Sequence, residues 1–144
     1  MTRQIVILGA GTAGTMMAHK LSRALSPGAW KIAVVDRDNK HIYQPGLLFV
    51  PFGMYRPEDT VRDRDILLPQ GVDLLLTPVE RVDPDANKVI FSNGHVLDYD
   101  LLIVATGTRI APEMTPGLKG EGWRRSAFDF YTLEGATALA AAME

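Results

Sequence analysis

The sequence contains no cysteine. Within this stretch that excludes a disulfide, a thiolate nucleophile and a cysteine-held metal or cluster. Its 3 histidines stand without HxH or HExxH spacing, so no metal-binding set is recognisable. There is no apolar run of about 18 residues, the length a membrane-spanning helix needs. The first apolar run starts at Ile5, which leaves no room for a secretory signal ahead of it. An excess of one charge is also missing. The formal net charge is −2, which argues against an electrostatic nucleic-acid binder.

What remains is ordinary globular material. The chain has 144 residues, 47% hydrophobic and 22% charged, one domain's worth and enough to bury a core. Its most informative stretch is the beginning. Ile5-Val6-Ile7-Leu8 has the length of a buried strand and runs into Gly9-Ala10-Gly11-Thr12-Ala13-Gly14. A helical pattern follows, with Met17, Ala18, Leu21 and Leu25 on one face. A second apolar run, Ile32-Ala33-Val34-Val35, ends on Asp36. Strand, glycine turn, helix, strand and an acid about 20 residues on is the order of a βαβ dinucleotide-binding unit. Gly9 serves the tight turn, Gly11 the close approach of a pyrophosphate, and Gly14 the packing of helix on sheet. The helix N-terminus offers free N–H groups and a positive dipole end. Asp36 stands where a carboxylate accepts hydrogen bonds from a ribose diol. The motif itself does not choose between NAD and FAD.

Further along, the segment from His41 to Tyr55 is apolar, aromatic and broken by Pro45, Gly46, Pro51 and Gly53. It reads either as a loop packed on its own side chains or as a segment packed against a flat ligand, with Gln44 and Pro45 near that ligand. Asp59 or Thr60 is expected to cap a short helix reaching about Leu68, stopped by Pro69 and Gly71. Val72 to Thr77 reads as a third parallel strand, continued outward by Pro78 to Val82. Lys88 to Phe91 and His95 to Leu97 flank Asn93-Gly94 and predict a hairpin with a type I′ turn. Tyr99 to Val104 is a last buried strand, ending on the small residues Ala105-Thr106-Gly107, which would let backbone pass close to a ligand at the carboxyl edge of the sheet. His19, Arg124 and Arg125 read as solvent-facing. A helix is expected from Thr132, with Gly135 marking close packing. It runs into the chain end without a cap or closing glycine, which reads as a truncation.

These motifs together resemble a known group. G-A-G-T-A-G, V-V-D-R, the proline-broken segment, the hairpin and Y-D-L-L-I-V-A-T-G look like the first half of the FAD-dependent pyridine nucleotide-disulfide oxidoreductases, whose fold is α/β with a Rossmann-like parallel sheet and a β-hairpin or meander crossover. Within them, His41 to Gly53 and Phe130 to Ala136 resemble sulfide:quinone oxidoreductase and flavocytochrome c sulfide dehydrogenase. Type II NADH:quinone oxidoreductases share most of the motifs. The resemblance implies FAD, with Gly9, Gly11, Thr12, Ala13 and Gly14 at the pyrophosphate, Asp36 at the adenosine ribose and Arg37 beside the adenine end. It places Gln44 and Pro45 toward the flavin, Val79 with its backbone at the adenine, and Ala105, Thr106 and Gly107 along the cofactor. It implies residues 1–110 as an FAD-binding domain and 111–144 as a linker and the start of a helix leading to a second domain not contained here. Quinone and sulfide would be partners of the full-length protein, cytoplasmic or peripheral at a membrane, with membrane contact made by a later segment. An unpaired sheet edge could also pair with a second copy. The resemblance assigns no catalytic residue to this stretch, because the redox cysteines of sulfide oxidation would lie downstream. The different reading the motifs allow is a dinucleotide-binding module without catalysis.

Overall fold

A computed structural model describes residues 2–26 and 28–143. The elements run β1 (Arg3–Leu8), α1 (Thr12–Ala24), β2 (Trp30–Asp36), β3 (Lys40–Ile42), β4 (Val61–Asp63), β5 (Val72–Leu76), β6 (Val79–Asp83), β7 (Lys88–Phe91), β8 (Val96–Asp98), β9 (Leu101–Val104) and α2 (Leu133–Met143). Short 3₁₀ turns punctuate the long loops.

The chain gathers into two compact units. One comprises Met1–His41 and Asp63–Gly107, the other Ile42–Arg62 and Thr108–Glu144. The first is built on a parallel sheet in the order β5-β2-β1-β9. Ile5, Val6, Ile7 and Val34 are fully enclosed because β1 and β2 are covered on both faces. One face carries α1, which contributes Ala18 with Met17, Leu21 and Leu25 to a cluster with Ile5, Ile7 and Ile32. The expected helical stripe is therefore the one that packs. The other face is covered by an antiparallel meander, β6-β7-β8, whose Val89 and Phe91 meet Val6, Leu8 and Val35. An α/β sheet with one helical and one meander layer is the expected fold class.

Several local expectations are corrected. Proline and the paired carboxylate of Asp59 hold Pro57–Thr60 as a 3₁₀ turn, and the chain then extends as β4 to pair with β3, so no α-helix reaches Leu68. Asp59 accepts from the Arg56 N–H at 3.2 Å and from its guanidinium at 2.8 Å rather than capping an α-helix. The chain breaks at Thr77-Pro78, so β6 joins the meander instead of prolonging β5. The hairpin turns over Phe91 to Gly94, with the Gly94 N–H donating to the Phe91 carbonyl at 2.9 Å and Phe91 pairing with the His95 carbonyl. Gly94 alone has positive φ, +82°, and Asn93 does not, so this is a three-residue loop closing on a left-handed glycine and not a type I′ pair. His19 is not simply solvated, since its Nε2–H donates to the Leu67 carbonyl at 2.8 Å.

The second unit has its own small core of Leu47, Val50 and Ala136, lined by Leu133 and Ala140. Arg124, expected to face solvent, turns inward. It pairs with Asp129 at 3.5 Å and with Glu134, and takes a positive φ of 61°. Asp129 in turn accepts the Thr132 N–H at 2.8 Å, Thr132 caps α2 by accepting the Gly135 N–H at 3.0 Å, and the Asp129 carboxylate lies where a Cβ on Gly135 would stand. The close packing expected at Gly135 is thus contact with the Asp129 carboxylate.

Candidate functional site

In the first unit the turn after β1 stands at the carboxyl ends of the strands, where open parallel sheets bind ligands. Strand β1 lies between β2, reached through α1, and β9, which arrives from the far end of the unit. That reversal of order places the turn after Leu8 at a topological switch point, at the carboxyl ends of the strands. The Gly9 N–H donates to the Val35 carbonyl and the Ala105 N–H to the Leu8 carbonyl, both at 2.7 Å, so the turn, β2 and the end of β9 are drawn together.

The glycines of the turn are required for different reasons. Gly9 has φ +99°, and a Cβ there would run into the Ala105 carbonyl. Gly14 is buried in the first turn of α1, and a Cβ there would run into the Gly9 carbonyl. Gly11 has an ordinary φ of −76°, and a Cβ there would meet nothing within 4 Å. Neither strain nor packing within the chain explains Gly11. What a side chain would fill is open space in front of the helix. That helix has no side-chain cap and no acid in its first turn. Thr12 and Ala13 are exposed, and their N–H groups, with that of Gly14, have no helical carbonyl to bond. A bare, positively poised backbone mouth beside a glycine with room above it fits a diphosphate.

Asp36 faces this turn. Its Oδ2 accepts the Ala10 N–H at 2.8 Å and its Oδ1 the Arg37 N–H at 2.8 Å. Oδ1 keeps a further lone pair toward the turn, while Oδ2 also faces the Arg64 guanidinium at 3.1 Å. Arg37 itself points its side chain outward, 82% exposed and near Asp38 at 3.5 Å. Thr106 and Gly107 are exposed beyond β9, and Gly107 has φ +71°. Val79 opens β6, opposite Phe91, and packs on the cluster holding Leu8 and Val35. Gln44 and Pro45 belong to the second unit. There they open a 3₁₀ turn, and the Gln44 amide donates to the Tyr131 carbonyl at 3.0 Å. The structure thus brings Gly9, Gly11, Thr12, Ala13, Gly14, Asp36 and Ala105 together around one turn.

Two residues of the site carried no sequence signal. Arg64 sits within a run of alternating charges, Arg62 to Asp65, inside the stretch expected as a short helix. Its side chain is only 11% exposed. Nη1 donates to the Ala10 carbonyl at 2.6 Å and lies 3.1 Å from Asp36 Oδ2, while Nε donates to the Asp38 carbonyl at 2.9 Å. His41 Nδ1 also reaches the Ala10 carbonyl, at 3.3 Å. Asp38 completes the cluster. Burial pushes its carboxyl up, but the Lys40 N–H and the Arg64 and Arg37 charges together outweigh that and hold it below its ordinary value.

The chain matches the family model described as pyridine nucleotide-disulphide oxidoreductase over residues 3–143. It is 31% identical over 116 residues to the mitochondrial sulfide:quinone oxidoreductase of Dictyostelium discoideum, covering 81% of this chain and 25% of the relative. It is 29% identical over 106 residues to type II NADH:quinone oxidoreductase of Staphylococcus aureus, covering 73% of this chain and 26% of the relative. Its fold superposes on the crystal structure of the sulfide:quinone oxidoreductase from Aquifex aeolicus with a TM-score of 0.78 at 22% identity, over 97% of this chain and 31% of that one. The chain therefore spans about a quarter of the length of the curated relatives it matches.

Proposed function

The chain belongs to the pyridine nucleotide-disulphide oxidoreductase family, and from that premise we propose that it is the N-terminal FAD-binding portion of a sulfide:quinone oxidoreductase-like flavoprotein. In the whole protein, sulfide would be oxidised and its electrons passed through FAD to quinone. The observation that carries the cofactor reading is the open space at Gly11 in front of an uncapped helix, with the Asp36 carboxylate turned toward the same turn. The sulfide branch is supported by the Dictyostelium relative and by the segment from His41 to Gly53.

FAD, when bound, would supply the electron transfer itself. The chain's own residues would bind and orient. Gly9, Gly11, Thr12, Ala13 and Gly14 would hold the diphosphate with backbone N–H groups and the helix dipole. Asp36 would accept the ribose hydroxyls, with Arg37 and the Val79 backbone toward the adenine. Ala105, Thr106 and Gly107 would lie along the cofactor, and Gln44 and Pro45 toward the flavin. Residues 1–110 would form the FAD-binding domain and 111–144 the linker into the next. With no cysteine in this stretch, the sulfur chemistry would be done by residues elsewhere in the full-length protein.

The similarity to a type II NADH:quinone oxidoreductase favours a second reading, in which NADH is the donor. Purified full-length protein decides between them. A stoichiometric flavin spectrum, with quinone reduction driven by sulfide and not by NADH, is the expected result. NADH-driven reduction without a sulfide-dependent rate would shift the assignment to the second reading. Absence of flavin would remove both.

A further inference from the structure

We infer that Arg64 is a positioning residue for the diphosphate grip, working through the Ala10 carbonyl to fix the peptide that carries the Gly11 N–H. The inference rests on the cofactor reading proposed above and adds to it a residue far along the chain. Ala10 is fully buried, and each of its two backbone groups is held by a side chain. Its N–H donates to Asp36 Oδ2 at 2.8 Å. Its carbonyl accepts from Arg64 Nη1 at 2.6 Å, from His41 Nδ1 at 3.3 Å and from the Thr15 hydroxyl at 3.3 Å. In a planar trans peptide the C=O and the following N–H point in opposite directions. Fixing the Ala10 carbonyl toward Arg64 and His41 therefore turns the Gly11 N–H away from them. No acceptor among the described residues takes that N–H, and the space at Gly11 is open.

Glycine is the residue least able to hold its own peptide in place, because both signs of φ are accessible to it. A turn with Gly9 and Gly11 flanking Ala10 needs an external clamp to keep its donors aimed. Arg64 is well built for this. Its own backbone N–H donates to the Asn39 side chain at 3.0 Å and to the Asn39 carbonyl at 3.1 Å, and its Nε donates to the Asp38 carbonyl at 2.9 Å. The guanidinium is thus anchored to the loop after β2 before it reaches the glycine turn. The same group neutralises part of the Asp36 charge at 3.1 Å, which lowers the penalty of bringing a diphosphate near that carboxylate.

The test uses full-length apoprotein, with FAD and ADP as separate probes and thermal unfolding of the apoprotein as the control. Arg64→Met keeps the side chain's bulk and removes its donors. It should weaken FAD and ADP alike by tenfold or more, because both contain the diphosphate, while the apoprotein still unfolds cooperatively. Arg64→Lys supplies one donor in place of the fork and should recover part of that loss. Wild-type affinity in Arg64→Met, within twofold, would overturn the role of Arg64 and leave FAD binding standing. If Arg64→Met does not fold, the lysine variant decides: folded, with wild-type affinity for both probes, it would equally overturn the need for the anchored fork. Wild-type protein that binds neither probe would overturn the cofactor reading and this inference together.

Discussion

A glycine can be required for what surrounds it or for what it must receive. At Gly9 and Gly14 a Cβ would strike backbone carbonyls, so substitution there disrupts the turn whether or not a ligand binds. At Gly11 a Cβ would strike nothing in the chain, so substitution there acts chiefly on what enters the open space. Gly11→Val in the full-length protein is therefore expected to abolish flavin binding while leaving the thermal midpoint of the apoprotein within a degree or two. Wild-type flavin content would count against the assignment. With Asp36 holding the ribose as proposed, Asp36→Ala should weaken FAD by about 1–3 kcal/mol, the range for hydrogen bonds to charged groups. Titration of the apoprotein by flavin fluorescence measures it, and an unchanged dissociation constant would take Asp36 out of the site.

Among elements, the entry to α2 shows how tertiary contact reverses an intrinsic preference. Gly135 lies in the first turns of that helix, where alanine is ordinarily better by about 1 kcal/mol. The Asp129 carboxylate occupies the place of its Cβ while accepting the Thr132 N–H and hydroxyl. Gly135→Ala should accordingly lower the thermal midpoint of the full-length protein. Asp129→Ala alone should cost about 1.5–3 kcal/mol, the range for a hydrogen bond to a charged group. With Asp129 already removed, Gly135→Ala should become neutral or stabilising, and a cost that persists in the double variant would show that the clash lies elsewhere. The loop after β2 has a pH signature. A carboxyl held below its ordinary value in the fold, as at Asp38, adds stability that is fully present above the unfolded value and is lost as pH falls through the folded one. The loss should thus begin below about pH 4, and Asp38→Asn should flatten that part of the curve. The effect will be small, because the Asp38 side chain is 45% exposed.

Over the molecule as a whole, the parallel sheet ends on β5 and β9, and neither has an outer partner among the described residues. On β9, Leu101 is 45% and Val104 68% exposed. An open edge beside the glycine turn leaves backbone groups and apolar side chains in water. The 144-residue chain by itself is expected to retain FAD weakly. Its visible spectrum after purification is the check, and a stoichiometric flavin band would show that the first unit already makes a closed pocket. No helix of the described residues is long and apolar enough to cross a membrane.

The sequence by itself determined the βαβ unit, its glycine turn, the stripe of α1 that packs, the buried character of β1 and β2, and the acid that ends β2. Each of these is a local pattern: a period, a glycine at a fixed offset, a run of enclosed length. Only the tertiary structure decided that Arg64 and His41 meet at the Ala10 carbonyl, that Arg124 turns inward to the cap of α2, and that the stretch before Leu68 breaks into a 3₁₀ turn and a short strand. A charged side chain in a run of charges looks alike whether it faces water or a distant carbonyl. Its partner lies dozens of residues away in the chain, and the free energy that buries it comes from that partner.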